Sequence, residues 1–113
     1  MPERIIEIGT KKYSQVVCLD EPGAGGACHQ YAVTGEFAHV QFQNGPVKEA
    51  GVNGCHQEDL LVIVIDRLEH FQAGEYACLA NAQALAHCLF ALEALRERTT
   101  AREQRGVEGT SVK

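Results

Sequence analysis

Six consecutive positions, Leu60-Leu61-Val62-Ile63-Val64-Ile65, are apolar, and they sit in the middle of HQEDLLVIVIDRLEHFQ, residues 56–72. On a helix, six consecutive residues cover roughly 1.7 turns, so their side chains point to every side. A helix that is apolar all round is buried all round. Glu58 and Asp59 suit the positive end of the helix dipole, and Gly74 is placed to cap its C-terminus. The chain has 113 residues, enough for one domain with a modest core. The question is what covers this helix.

The second half offers one cover. A second helix is expected from about Glu75 to about Gln104. Ala77, Ala80, Ala82, Ala84, Ala86, Ala91 and Ala94 raise its helix propensity and allow close approach of neighbours. At ~1.5 Å per residue it is ~45 Å long, more than so small a domain can cover. Gly106 and Gly109 follow it. The first half offers another cover. Residues 3–8, 14–20, 27–34 and 37–43 read as short strands. In the last of them Ala38, Val40 and Phe42 alternate with His39, Gln41 and Gln43, the period of a strand with one packed face. EPGAGG (21–26) and Thr34-Gly35-Glu36 are short connections that favour an antiparallel meander. Such a sheet covers one side of the first helix and the second helix covers another. A partner subunit is needed for the rest. The expected fold is α+β: an N-terminal small antiparallel β-sheet followed by a two-helix C-terminal half, in an oligomer. It is one domain over 1–113, with a sheet part (1–43), a loop (44–54), a helical part (55–105) and a tail (106–113). The loop NGPVKEAGVNG has four glycines or prolines in eleven residues and resists regular structure.

Charge and composition exclude several classes. The formal net charge of −5 opposes a non-specific nucleic-acid binder. Five of the ten Lys and Arg nevertheless fall in 96–113, so a small anion can be met locally there. No apolar run reaches the length of a membrane span, and the N-terminal residues lack a secretory h-region. A cytoplasmic protein is expected. The five cysteines, Cys18, Cys28, Cys55, Cys78 and Cys88, form no CxxC pair and read as free thiols.

No constellation for catalysis or metal stands out. Cys28-His29, Cys55-His56 and His87-Cys88 are adjacent pairs, and adjacent residues diverge on strand and helix alike. Buried cysteines with surface histidines are expected, and no metal. GAGGAC (23–28) lacks the GK[ST] ending of a phosphate loop and precedes a strand, so it reads as a hairpin connection. Arg98, Arg102 and Arg105 form one stripe on the second helix. They are either a solvated face paired with Glu97 and Glu103 or a guanidinium row for phosphates. Phe71 and Asn81 are either core and cap, or a ring and an amide that stack on and hydrogen-bond a purine.

The segments QNGPVKEAGVNG (43–54), EDLLVIVIDRLEHFQAGEYAC (58–78), NAQAL (81–85) and RERTTAREQRGVEGT (96–110) carry a resemblance across about two thirds of the chain. They are similar to the phage anti-Thoeris signal-sponge family, the first Thoeris anti-defence type. The resemblance implies a protein that is not an enzyme and needs no cofactor. It binds glycocyclic ADP-ribose, a cyclic ADP-ribose isomer made by bacterial TIR-domain immune enzymes, without cleaving it. It also implies binding of cyclic di- or trinucleotides at separate sites, and assembly as a homodimer and beyond it a hexamer. By position it makes Phe71, Asn81 and Arg98 ligand contacts, with Gln43, Asn44 and Lys48 from the loop. Arg105, Gly106 and Thr110 fall to the second type of site. Neither a nucleic-acid polymer nor a membrane is an expected partner. A nucleotide-cleaving enzyme and a structural oligomeric phage protein are the alternatives. Asn81 and Arg98 are seventeen residues apart, ~25 Å along one helix. A ligand of about 10–12 Å meets both only if the helix breaks or two subunits share the pocket.

Overall fold

The computed structural model describes residues 4–9 and 12–112. They form two compact units: one of Met1–Cys55 with Gly109–Ser111, the other of His56–Glu108 with the two last residues. In the first unit four strands run β1 (Arg4–Ile5), β2 (Val16–Cys18), β3 (Gln30–Val33) and β4 (Ala38–Gln41). They make one sheet in sequence order, each neighbour antiparallel. The expected meander is present, with strands shorter than the sequence predicts. Glu3, in the first predicted strand, lies outside the described residues.

Local chemistry explains the connections. Between β3 and β4, Gly35 and Glu36 both take positive φ, 90° and 64°, the twist that lets two antiparallel strands reverse tightly. Between β2 and β3, the Asp20 carboxylate accepts from the His29 backbone N–H at 3.0 and 3.1 Å and from Gln30 N–H at 3.2 Å. It pins the two ends of the EPGAGG connection. Burial alone would raise the Asp20 pKa. The hydrogen bonds from Gln30 and His29 outweigh it and hold the carboxyl below its usual value. The packed interior is small: Val17, Cys18, Cys28 and His29 are buried. The expectation of surface histidines beside buried cysteines therefore fails at His29, which is 7% exposed. The reason is that Cys28 and His29 precede β3, so strand alternation does not separate them.

The loop 44–54 is more regular than its glycines predict. Residues Val47–Ala50 make one helical turn, α1, after Pro46. Gln43 organises the rest: its Nε2 donates to the carbonyls of Gly45 (3.1 Å) and Gly51 (2.6 Å), and its Oε1 accepts from Asn53 N–H (2.9 Å). Asn53 answers by bonding both backbone groups of Asn44. The loop returns to the sheet through a parallel bridge between Phe42 and Cys55. Gly54 is needed there, since a Cβ would stand 2.6 Å from the carbonyl oxygens of Gln41 and Phe42.

The second unit is a helical hairpin of α2 (Gln57–Gln72) and α3 (Leu79–Gln104). Asp59 opens α2 by accepting the His56 N–H at 2.9 Å. Two expectations are corrected. Gly74 is not the cap: Ala73 is, in helical conformation, and Gly74 does not take the left-handed conformation. And α3 begins at Leu79, not Glu75, because Cys78 is extended and its Sγ accepts the Asn81 N–H at 3.4 Å. Gly106 does end α3 as expected, at φ 75°, its N–H bonded to the Glu103 carbonyl and Val107 N–H to Arg102. The inward positions of α3 are Asn81, Leu85, Cys88, Leu92, Leu95, Thr99 and Arg102, spaced alternately by four and three. Those of α2 include Leu61, Ile65, Leu68 and Gln72, with the same alternation. This is the seam of a coiled-coil pair. Ile65 and Leu92 are its buried residues. By contrast Val62, Ile63 and Val64 stay 45%, 58% and 44% exposed, so one chain does not cover α2.

Candidate functional site

The tip of the hairpin gathers the two residues that the sequence singles out. Phe71, in the last turn of α2, meets the Tyr76 ring edge-on, centroids 6.4 Å apart. Asn81, in the first turn of α3, donates from Nδ2 to the Tyr76 carbonyl at 3.2 Å. Tyr76 thus ties ring and amide to one turn, residues 73–78. Gln72 secures that turn by accepting the Cys78 N–H at 3.0 Å. The Arg67 guanidinium lies 5.2 Å from the centroid of Phe71, one turn earlier on α2. The tip therefore presents two aromatic faces, a guanidinium and an amide. Tyr76 is exposed and Phe71 half-buried. These are groups that stack on a purine, hold a phosphate and read a base edge.

Arg67 and Tyr76 were not among the sequence candidates. A signal for both was present. Arg67 stands four residues before Phe71 on one helical face, and Tyr76 lies in the break between the helices. His70 also belongs to this turn of α2. Its Nδ1 meets the Asp66 carbonyl at 2.8 Å, and this contact and the Asp66 carboxylate raise its pKa.

Arg98 lies elsewhere. Helix α3 is continuous from Leu79 to Gln104, so Asn81 and Arg98 remain ~25 Å apart on one rod. Of the two routes to a shared ligand, a break in the helix is absent. Arg98 is exposed and its side chain makes no hydrogen bond or ion pair among the described residues. Because α3 has 26 residues and α2 has 16, about ten residues of α3 overhang its partner. An open trough of about 440 Å³ runs along this stretch, lined by Leu89, Leu92, Glu93, Arg96, Glu97, Thr100, Ala101 and Gln104. Neither Phe71, Asn81 nor Arg98 lines it.

The remaining candidates divide between the units. Gln43, Asn44 and Lys48 belong to the sheet unit. The Gln43 amide is spent on loop hydrogen bonds, whereas the side chain of Asn44 is exposed. Lys48 is exposed, and its N–H bonds the Gly109 carbonyl at 2.8 Å while its stem packs over Gly109. Thr110 belongs to the same tail segment, which Ser111 fastens through the Glu49 carboxylate at 3.0 Å. Arg105 and Gly106 form the C-terminal cap of α3 in the hairpin unit. All five cysteines are free thiols. Among the described residues no helix is long and apolar enough to cross a membrane.

Residues 35–101 match the family model described as Acb2/Tad1, hairpin domain. The match runs from the β3–β4 turn through the loop, α2 and most of α3, and so includes the hairpin tip and Arg98. Thoeris anti-defense 1 of Bacillus phage SBSphiJ7 is 48% identical over 94 residues, which cover 80% of this chain and 66% of that relative. The chain thus spans about two thirds of the relative's length. With more than half of its residues inside the family match, the chain belongs to the Acb2/Tad1 hairpin-domain family.

Proposed function

We propose that this protein is a phage anti-defence protein that counters Thoeris immunity by binding and holding a cyclic ADP-ribose signal, glycocyclic ADP-ribose foremost, without cleaving it. The observation that carries the reading is the joining of Phe71 and Asn81 through Tyr76 at the hairpin tip, with Arg67 over the ring. The name of the similar Bacillus phage protein supports it. In this reading the aromatic pair stacks on the purine and the Asn81 amide reads its edge. Arginines hold the diphosphate.

The pocket is shared between subunits. Arg98 of one chain reaches the hairpin tip of another lying antiparallel to it, since a continuous α3 keeps the two apart within a chain. The exposed apolar face of α2 supplies the contact area for a homodimer, and repetition of such contacts leads to a hexamer. The tail residues Arg105, Gly106 and Thr110 are assigned to a separate site for cyclic di- or trinucleotides, and Gln43, Asn44 and Lys48 to the first ligand. The protein works in the cytoplasm of the infected cell.

The test separates a sponge from an enzyme and from a purely structural protein. The protein is incubated with cyclic ADP-ribose isomers, denatured, and the nucleotide analysed. Intact recovery with slow release before denaturation is expected. An altered nucleotide makes the protein an enzyme. No retention of any cyclic nucleotide leaves a structural assembly. Asn81→Ala and Phe71→Ala are expected to weaken retention at least about tenfold, ~1.4 kcal/mol, while native mass is unchanged. Retention equal to the parent in both variants removes the tip as the site.

A further inference from the structure

A different constellation lies in the sheet unit. Cys18 ends β2 and Cys28 precedes β3, and the antiparallel register that pairs Cys18 with Tyr31 folds the two cysteines back beside each other. Their sulfurs and a carboxylate oxygen of Asp20 all lie within 4.8 Å of one another. Cys18 is 1% and Cys28 8% exposed. Both thiols converge on one acceptor: Cys18 Sγ donates to the Asp20 carbonyl oxygen at 3.2 Å and Cys28 Sγ to the same atom at 3.5 Å. Cys18 Sγ is also 3.6 Å from Asp20 Oδ1. A tetrahedral ion with bonds of ~2.3 Å to sulfur and ~2.0–2.2 Å to oxygen keeps its ligand atoms roughly 3.5–3.8 Å apart. The Cys18 Sγ–Asp20 Oδ1 pair already stands at that spacing, and the third donor lies within 4.8 Å of both.

The surroundings fit a cation as well. Backbone N–H groups of His29 and Gln30 fix the Asp20 carboxylate, the role of an outer shell that orients a metal ligand. The Arg4 guanidinium stands 3.8 Å from Cys28 Sγ. Two thiolates and a carboxylate carry three negative charges, and a divalent cation together with Arg4 balances them. In a three-ligand site the fourth position takes water. The sheet unit also has reason to need a clasp. Its strands are two to four residues long, and among the described residues its buried apolar side chains are Val17, Cys18 and Cys28. Units with so little core are commonly stapled by a metal.

We propose that Cys18, Cys28 and Asp20 bind one thiophilic divalent cation, Zn²⁺ foremost, as a structural clasp of the sheet unit. Each thiol gives its proton to solvent as its sulfur bonds the ion, and no electron transfer is involved. Thiolate donors select zinc over magnesium and calcium. The ten-residue separation of the cysteines hides the site from a search for CxxC spacing.

The full chain, reduced and stripped with a chelator, is titrated with Co²⁺ and then with Zn²⁺. One Co²⁺ per chain is expected, with thiolate-to-cobalt charge-transfer absorption and the visible bands of tetrahedral cobalt, bleached by Zn²⁺. Cys18→Ser and Cys28→Ser are expected to abolish these bands, and Asp20→Asn to weaken Co²⁺ binding at least about tenfold. Cys78→Ser and Cys88→Ser are expected to keep them. Should the first variants misfold, alkylation of the parent decides: Zn²⁺ is expected to slow modification of Cys18 and Cys28 and of no other cysteine. Bands that survive in both Cys18→Ser and Cys28→Ser overturn the proposal. So do protection mapped to other cysteines and isolation of a Cys18–Cys28 disulfide that takes up no metal.

Discussion

Replacing Ile63 by Glu probes the exposed face of α2 most directly. Val62, Ile63 and Val64 are 45%, 58% and 44% exposed in the chain. Full burial of such a side chain is worth about 1.5–3 kcal/mol. Covering the exposed half of each gives about 0.7–1.5 kcal/mol, hence about 2–4 kcal/mol per chain for the three. A twofold contact doubles this. Within the isolated chain Ile63→Glu alters helix propensity little and forfeits only the smaller, covered part of the side chain, at a cost of about 1 kcal/mol. In a subunit contact the same change removes apolar burial and places a carboxylate where it has no partner, at a further cost of several kcal/mol. The variant is therefore expected to keep its helical circular dichroism and fall to monomer mass at concentrations where the parent is assembled. Sedimentation velocity measures this, with ligand retention followed on the same samples. Retention is expected to fall together with mass if the proposed pocket is shared between subunits. A parent that sediments as a monomer, or a variant that keeps the parent's mass, refutes the reasoning.

Three other outcomes follow from particular contacts. Arg67→Gln removes the guanidinium from the Phe71 ring and is expected to weaken ligand retention about threefold to tenfold with little change in melting temperature, since an exposed cation–π contact contributes about 0.5–1 kcal/mol. Gly54→Ala brings a methyl group against the carbonyls of Gln41 and Phe42 and is expected to cost about 1–3 kcal/mol, read by chemical denaturation. Asp20 has a folded pKa below its unfolded value, so its stabilising effect is full above the unfolded pKa and is lost as pH falls through the folded one. With chelator present, Asp20→Asn is expected to be less stable than the parent at neutral pH and to converge with it in acid, as followed by circular dichroism.

Much of this was legible before any coordinates. Short β-branched runs separated by glycine-rich connections dictate a meander, because short links join only antiparallel neighbours. LLVIVI dictates a helix that its own chain cannot cover, and Val62, Ile63 and Val64 are exposed accordingly. The four-three spacing from Asn81 to Arg102 was also present, although Asn81, Cys88, Thr99 and Arg102 disguise it as a weakly amphipathic helix. What composition could not give was the destination of individual polar groups. The Gln43 amide is consumed by the loop it begins, and α3 starts four residues late because Cys78 takes the cap.

The sequence by itself determined the division into sheet and hairpin, through the period of its apolar residues and the placing of its glycines. Only the tertiary structure decided that Phe71 and Asn81 both meet Tyr76, with Arg67 over the Phe71 ring, and that Cys18, Asp20 and Cys28 meet. The physical reason is range. Periodicity reports which face of an element is buried, whereas a site depends on which side chains the turns and the strand register bring within a few ångströms.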